Sequence, residues 1–192
     1  MPDPADLRFR AARPDDAHVI AGLHADSWQR HYRGAYSDAF LNGDVTGYLL
    51  AVWTERLDTP HPRARTILAE HHGQVVGLAH TLLGEDATWG ALIDNLHVFH
   101  ALKRQGIGTR LLALTARAVL DWSSSSGLYL WVLQQNAAAR ALYAARGGIC
   151  VERDDVPPPG GDPARLNGQP KCLRYAWRDA SELLPGHDQG HA

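Results

Sequence analysis

KRQGIGTRLL, residues 103–112, sets two glycines beside a basic cluster at the start of a helical run. Glycine inside a helix costs stability, so Gly106 and Gly108 need a reason. Two readings compete. One is a plain turn between a strand and a helix. The other is an anion cradle. The first N–H groups of a helix lack backbone partners and sit at its positive end, and glycine lets a phosphate approach them without a Cβ in the way. Two nucleotide fingerprints do not fit. A GxGxxG motif needs a third glycine where Leu111 stands, and a Walker loop needs Gly-Lys-Ser/Thr, which is absent.

Working outward, LHVFH (96–100) closes a strand before the glycines. RTILAEH (65–71), QVVGLAHTLL (74–83) and GALIDNLHVF (90–99) read as three strands of an antiparallel meander, with HHGQ as the first turn. LRFRAA (7–12) is an earlier strand. Pro14, Asp15 and Asp16 suit a helix start, and apolar spacing carries that helix to about Tyr32, where Gly34 breaks it. Ser37 or Asp38 caps a short helical piece, and Asp44 caps another with Val45, Tyr48, Leu49, Val52 and Trp53 on one face. Downstream of Gly106, Ile107, Leu111, Leu114, Ala118 and Trp122 share a helix face. LYLWVL (128–133) reads as a central strand covered on both faces. A helix from Asn136 to about Arg146 follows, then strands ICVER and CLRYAW around a long Pro/Gly-rich loop. The expected fold is a single domain over residues 1–180. It is mixed α/β (α+β), with a mostly antiparallel central sheet and helices on both faces, followed by a mobile tail over 181–192.

The 192-residue chain is long enough for a sizeable core, and its 45% hydrophobic and 21% charged content fits a soluble globular protein. A net charge of -2 gives no electrostatic case for nucleic acid or an anionic membrane. No apolar run is long enough to span a bilayer, and the N-terminus lacks a secretory pattern. Cys150 and Cys172 form no CxxC, so a cytoplasmic location with free thiols is expected. His71 and His72 are adjacent and do not suggest a metal site. His187 and His191 stand at chelating spacing in the tail, and no metal is expected.

LHVFHALKRQGIGTRLL followed by LYLWVLQQNAAARALYAARGG resembles the GCN5-related N-acetyltransferases. Their signature is Gln/Arg-x-x-Gly-x-Gly/Ala at a pyrophosphate loop, then an Asn at a helix start with a Tyr seven residues later. Here the loop is Lys103, Arg104, Gln105, Gly106, Ile107 and Gly108, and the second segment runs from Asn136 to Tyr143. Lys103 departs from the preferred Gln or Arg. Gly148 stands where an aromatic often follows the glycine.

The resemblance implies acetyl transfer from acetyl-CoA to an amine of a small molecule, peptide or protein by direct attack, in a monomer or homodimer. Residues 103–110, including Thr109 and Arg110, then meet the CoA phosphates. Backbone around Leu96, His97 and Val98 supports the thioester oxygen as it gains charge. Asn136 sits at the cofactor, and Tyr143 is the proton donor to the leaving sulfur. The position at which some members carry a glutamate is Leu92, which cannot accept a proton. Asp94, two residues along, is the first candidate base, acting through water, ahead of His97 and His31. Trp28, His31, Tyr32 and Tyr36 are candidates for an acceptor pocket. Bland readings stand beside these: Asn136 as a helix cap, Tyr143 and the aromatic stripe as core, Asp94 as an ordinary strand residue. The alternative function is a CoA-binding sensor or partner-binding module without catalysis.

Overall fold

The computed structural model describes residues 6–186. β1 (Leu7–Ala11) pairs antiparallel with β2 (Ala64–His71), which pairs with β3 (Gln74–Asp86), which pairs with β4 (Gly90–Val98). β5 (Leu128–Leu133) joins β4 in parallel. β6 (Ile149–Asp155) and β7 (Lys171–Trp177) complete the sheet in the order β1-β2-β3-β4-β5-β7-β6. The meander and the buried central strand stand as expected, and β3 runs three residues further than its sequence pattern.

Helices cover both faces. α1 (Ala17–His31), α2 (Asp38–Asn42) and α3 (Val45–Asp58) bury Ile20, Leu41, Leu49 and Trp53 against one face. Ser37 caps α2 through the Phe40 N–H, and Asp44 caps α3 through the Gly47 N–H. α4 (Ile107–Trp122) and α5 (Ala137–Ala144) take the other face. The buried stripe of α4 is Leu111, Leu112, Thr115, Ala116 and Val119. Trp122 differs from expectation. It is 69% exposed at the last residue of α4. The chain leaves there into the 123–127 loop, and the indole meets the Arg65 guanidinium instead, 5.0 Å from its centroid.

The expected tail is packed at its start. Ala180–Leu183 forms a 3-10 turn with Ala180 and Leu183 buried in the α4-side core. Residues 187–192, with His187 and His191, lie outside the described residues. The Pro/Gly-rich loop is also tied down. The Ser37 N–H donates to Arg165 O (2.8 Å) and the Asn167 N–H to Ala35 O (2.8 Å). Among the described residues no helix is long and apolar enough to cross a membrane. Cys150 and Cys172 are free thiols.

Candidate active site

The site begins where two strands part. β4 and β5 pair only from Ala91 to Ile93 and from Leu128 to Leu130. Beyond Ile93 the register of β4 on β3 slips: Thr81 faces Ile93, but His80 faces Asn95. Asp94 is the extra residue of this bulge, which bends the strand. Strands β4 and β5 then border a cleft of about 310 Å³, within the range of small-molecule pockets.

The bulge also reverses which backbone groups face the cleft. The Ala91 N–H donates toward the β5 side, to Gly127 O (2.9 Å), whereas the Phe99 N–H donates toward β3, to Val76 O (2.7 Å). Alternation back from Phe99 turns the N–H groups of Leu96 and Val98 toward the cleft, where no strand pairs with them. The His97 side chain points the other way, to α1.

The glycine loop closes one end. Arg104 (φ 62°) and Gly106 (φ 82°) are left-handed, and α4 starts immediately afterwards. Successive N–H groups in such a turn converge into a concavity suited to anions. Those of residues 106–109 precede the first helical hydrogen bond. The Arg110 N–H does not join them, because it closes that first turn on Gly106 O (2.9 Å). Gly106 is there for its dihedral: a Cβ would meet nothing within 4 Å. Gly108 has ordinary helical geometry, and its Cβ would lie 3.8 Å from Leu142 and Val98, a contact the protein tolerates. Gly108 lines the cleft beside those two residues, so the lack of a side chain there leaves the cleft wider. Lys103, Arg104, Gly106, Gly108 and Thr109 line the cleft, while Gln105, Ile107 and Arg110 do not. Ile107 is buried beneath the loop.

α5 supplies the opposite wall. Asn136 caps it through the Ala139 N–H (3.2 Å) and also lines the cleft, so its two readings coexist. Tyr143, two turns on, packs its ring on Tyr175 and Trp177. Tyr143 also lines the cleft, and among the described residues its hydroxyl has no hydrogen-bond partner. Burial raises its pKa strongly, with the Tyr32 phenol adding to the effect, so it stays protonated at neutral pH. Gly148 fits the same wall, because a Cβ there would stand 2.8 Å from the Trp177 ring.

The third wall is α1. Ser27, His31 and Tyr32 line the cleft. Trp28 and Tyr36 sit behind them, in an aromatic cluster with Phe40 and Tyr48. Burial, with Asp94 nearby, pushes the Tyr32 phenol up to about 12. Lys103 Nζ lies 2.6 Å from His31 Nε2, linking the glycine loop to α1. Burial lowers both pKa values, and for His31 the Lys103 charge lowers it further.

Asp94 lines the cleft but is not free. Arg56 of α3 holds its Oδ2 (2.9 Å) and donates to Asn95 Oδ1 (2.8 Å). Arg56 escaped the sequence reading because its partners are some forty positions away. The only local hint was a cation one turn after Trp53, over whose ring it stacks at 5.1 Å. Beneath β4, His97 Nδ1 meets Ser27 Oγ (2.9 Å) and its ring lies on His24 (4.3 Å). His97 Nε2 is buried without a partner. Burial brings His97 down to about 3, so it is neutral.

Unpaired N–H groups at a helix start, an open strand edge and the Tyr143 phenol therefore border one cleft. Comparison with known proteins places the chain in a family. The sequence profile of the Acetyltransferase (GNAT) family matches residues 8–148. A probable N-acetyltransferase from Mycobacterium tuberculosis is 31% identical over 146 residues, 73% of this chain and 78% of that protein. The uncharacterized N-acetyltransferase YuaI of Bacillus subtilis is 26% identical over 179 residues, 92% of this chain and 96% of the relative. The PaiA N-acetyltransferase of Thermoplasma acidophilum, solved in complex with coenzyme A, shares the fold with a TM-score of 0.64 at 15% identity, over 89% of this chain and 99% of that one. NAA60 of Arabidopsis thaliana, solved with a bisubstrate analogue, gives 0.64 at 16% identity, over 89% and 97%. By profile, relatives and fold together, this chain belongs to the acetyltransferase (GNAT) family.

Proposed function

We propose that the protein transfers an acetyl group from acetyl-CoA to an amine of a small molecule, peptide or protein. The observation that carries this is the parted β4–β5 pair, with N–H groups of residues 106–109 ahead of the first helical hydrogen bond at one end and Tyr143 in its wall. Acetyl-CoA supplies the activated acyl group as a thioester. The loop N–H groups bind its pyrophosphate, and Lys103 and Arg104 add charge. The N–H groups of Leu96 and Val98 bind the amide arm and support the thioester oxygen as it gains negative charge. Tyr143 donates a proton to the departing sulfur, a role that its protonated state suits.

The acceptor enters on the α1 side, between Tyr32 and Asp94. Asp94 lines the cleft while Arg56 fixes its Oδ2. The carboxylate draws in an ammonium and passes its proton to water. His31, which lines the cleft, is the weaker candidate for that path, whereas His97, neutral and turned to α1, is withdrawn from it, and Trp28 and Tyr36 set the depth of the pocket from behind.

Two measurements test this. Acetyl-CoA and CoA should raise the melting temperature, whereas ATP and NAD should not. CoA-thiol release should then be followed across a panel of small amines and peptide N-termini or lysines. No stabilisation by CoA sinks the reading outright. Stabilisation without release on any amine leaves a CoA-binding module, the alternative that Leu92 in place of a carboxylate favours.

A further inference from the structure

His71 ends β2 and His72 begins a two-residue turn, and at that point a carboxylate comes from elsewhere in the chain. His71 pairs with Gln74 across the turn and with Leu7 on the other side. That register sets Asp6, just before β1, opposite His72. His72 Nδ1 lies 3.7 Å from Asp6 Oδ2. One ligand atom each from Asp6, His71 and His72 falls within 4.8 Å of the other two.

Neighbouring residues on a strand point to opposite faces. His71 and His72 do not, because His72 is left-handed (φ 50°) and Gly73 follows at φ 75°. This is the two-residue hairpin turn that favours Asn or Asp at its first position. A histidine there is tolerated at some cost, and it brings the two rings to 4.1 Å. Among the described residues His71 Nε2 is buried without a hydrogen-bond partner, whereas His72 is exposed. The cluster therefore sets a half-buried histidine, one of whose nitrogens is buried, beside two side chains that solvent can reach.

We propose that Asp6, His71 and His72 form a binding site for a divalent transition-metal ion of the zinc type. Two imidazoles and one carboxylate suit zinc and its neighbours, whereas calcium and magnesium want oxygen alone. Tetrahedral ligation at 2.0–2.1 Å places donor atoms about 3.3 Å apart, so Asp6 and His72 need only small side-chain rotations to close the set. Water takes the fourth position. The ion clips the start of β1 to the β2–β3 hairpin. That hairpin emerges at the same end of the sheet as the glycine loop, since Gly77 pairs with Val98.

The test uses the full chain carrying H187A and H191A, so that the tail pair cannot contribute. The protein is stripped with a chelator and titrated with zinc sulfate against a chromophoric competitor. About one equivalent should bind with a micromolar or tighter Kd, and zinc should raise the melting temperature. His72→Asn gives the turn its favoured residue while removing a ligand. It should weaken zinc binding at least ~10-fold and abolish the thermal gain, with the metal-free protein at least as stable as before. Asp6→Asn should weaken binding in the same direction. Absence of a micromolar equivalent, or zinc binding unchanged in both variants, overturns the site.

Discussion

Tyr143 is an ordinary core aromatic in every contact except at its oxygen. Its ring is held by Tyr175 and Trp177, it lines the cleft, and its hydroxyl has no hydrogen-bond partner among the described residues. Removing that oxygen should leave packing intact and cost chemistry. Tyr143→Phe is expected to lower kcat about 100-fold with CoA affinity and melting temperature nearly unchanged. A kcat within twofold of the parent would mean that the phenol is only packing. Asp94 makes a different prediction because it touches the acceptor side. Asp94→Asn should reduce kcat/KM for the amine and leave the KM for acetyl-CoA alone, with Arg56 still held by Asn95. Equal loss toward both substrates would remove Asp94 from the acceptor site. Tyr143 and Asn136 were legible in sequence because their seven-residue spacing is local to one helix. The Arg56–Asp94 pair was not, since no sequence period links α3 to β4.

At the scale of elements, the glycine loop and the bulge in β4 divide the work of opening the cleft. The loop could be read from KRQGIG. The bulge could not, because a bulge is defined by the partner strand, and only the pairing of His80 with Asn95 reveals it. It matters for the reading of Leu92 and Asp94, which simple alternation would have set on one face. The two glycines, alike on paper, should separate in experiment. Gly106→Ala forces a Cβ into a left-handed turn and should cost about 1–2 kcal/mol of stability as well as CoA affinity. Gly108→Ala meets only ordinary contacts at 3.8 Å, so its melting temperature should hold while the KM for acetyl-CoA rises several-fold. If Gly108→Ala binds CoA like the parent, the clearance argument for that residue fails. The long loop that follows Asp155 read as Pro/Gly-rich irregular chain. Its docking, with Arg165 4.5 Å over the Tyr48 ring, depends on the aromatic cluster that it covers.

For the whole molecule, periodicity was enough to order the strands and helices, since each has a core face that repeats at its own period. Periodicity failed where burial depends on distant chain, as at Trp122 and at the packed turn of residues 180–183. It also gave no sign that three histidines gather beneath β4. His24, His80 and His97 are buried around Trp53, which donates to His24 Nδ1 (3.1 Å) and meets the His80 ring edge-on at 5.4 Å. All three are held neutral, by burial first. His24 also feels His97 and Arg56, His80 feels Arg56 against Asp94, and His97 feels Lys103 and His31. The sign follows from proton binding. An unfolded histidine takes a proton below about 6.5, whereas folded His97 waits until about 3. Between those values the unfolded chain holds more protons, so folding stability is lost as pH falls, by about 1.4 kcal/mol per unit for each fully buried histidine. The Asp16 carboxyl, held low by Arg10, acts in a separate window below 3.8. Acidification from pH 7 to 5 should therefore lower the melting temperature steeply, before carboxylates contribute. His97→Asn should reduce proton uptake on unfolding in that range by about one proton and flatten the slope accordingly. An unchanged slope would show that His97 is protonated in the folded protein, and with it that the wall beneath β4 is wetter than its burial indicates.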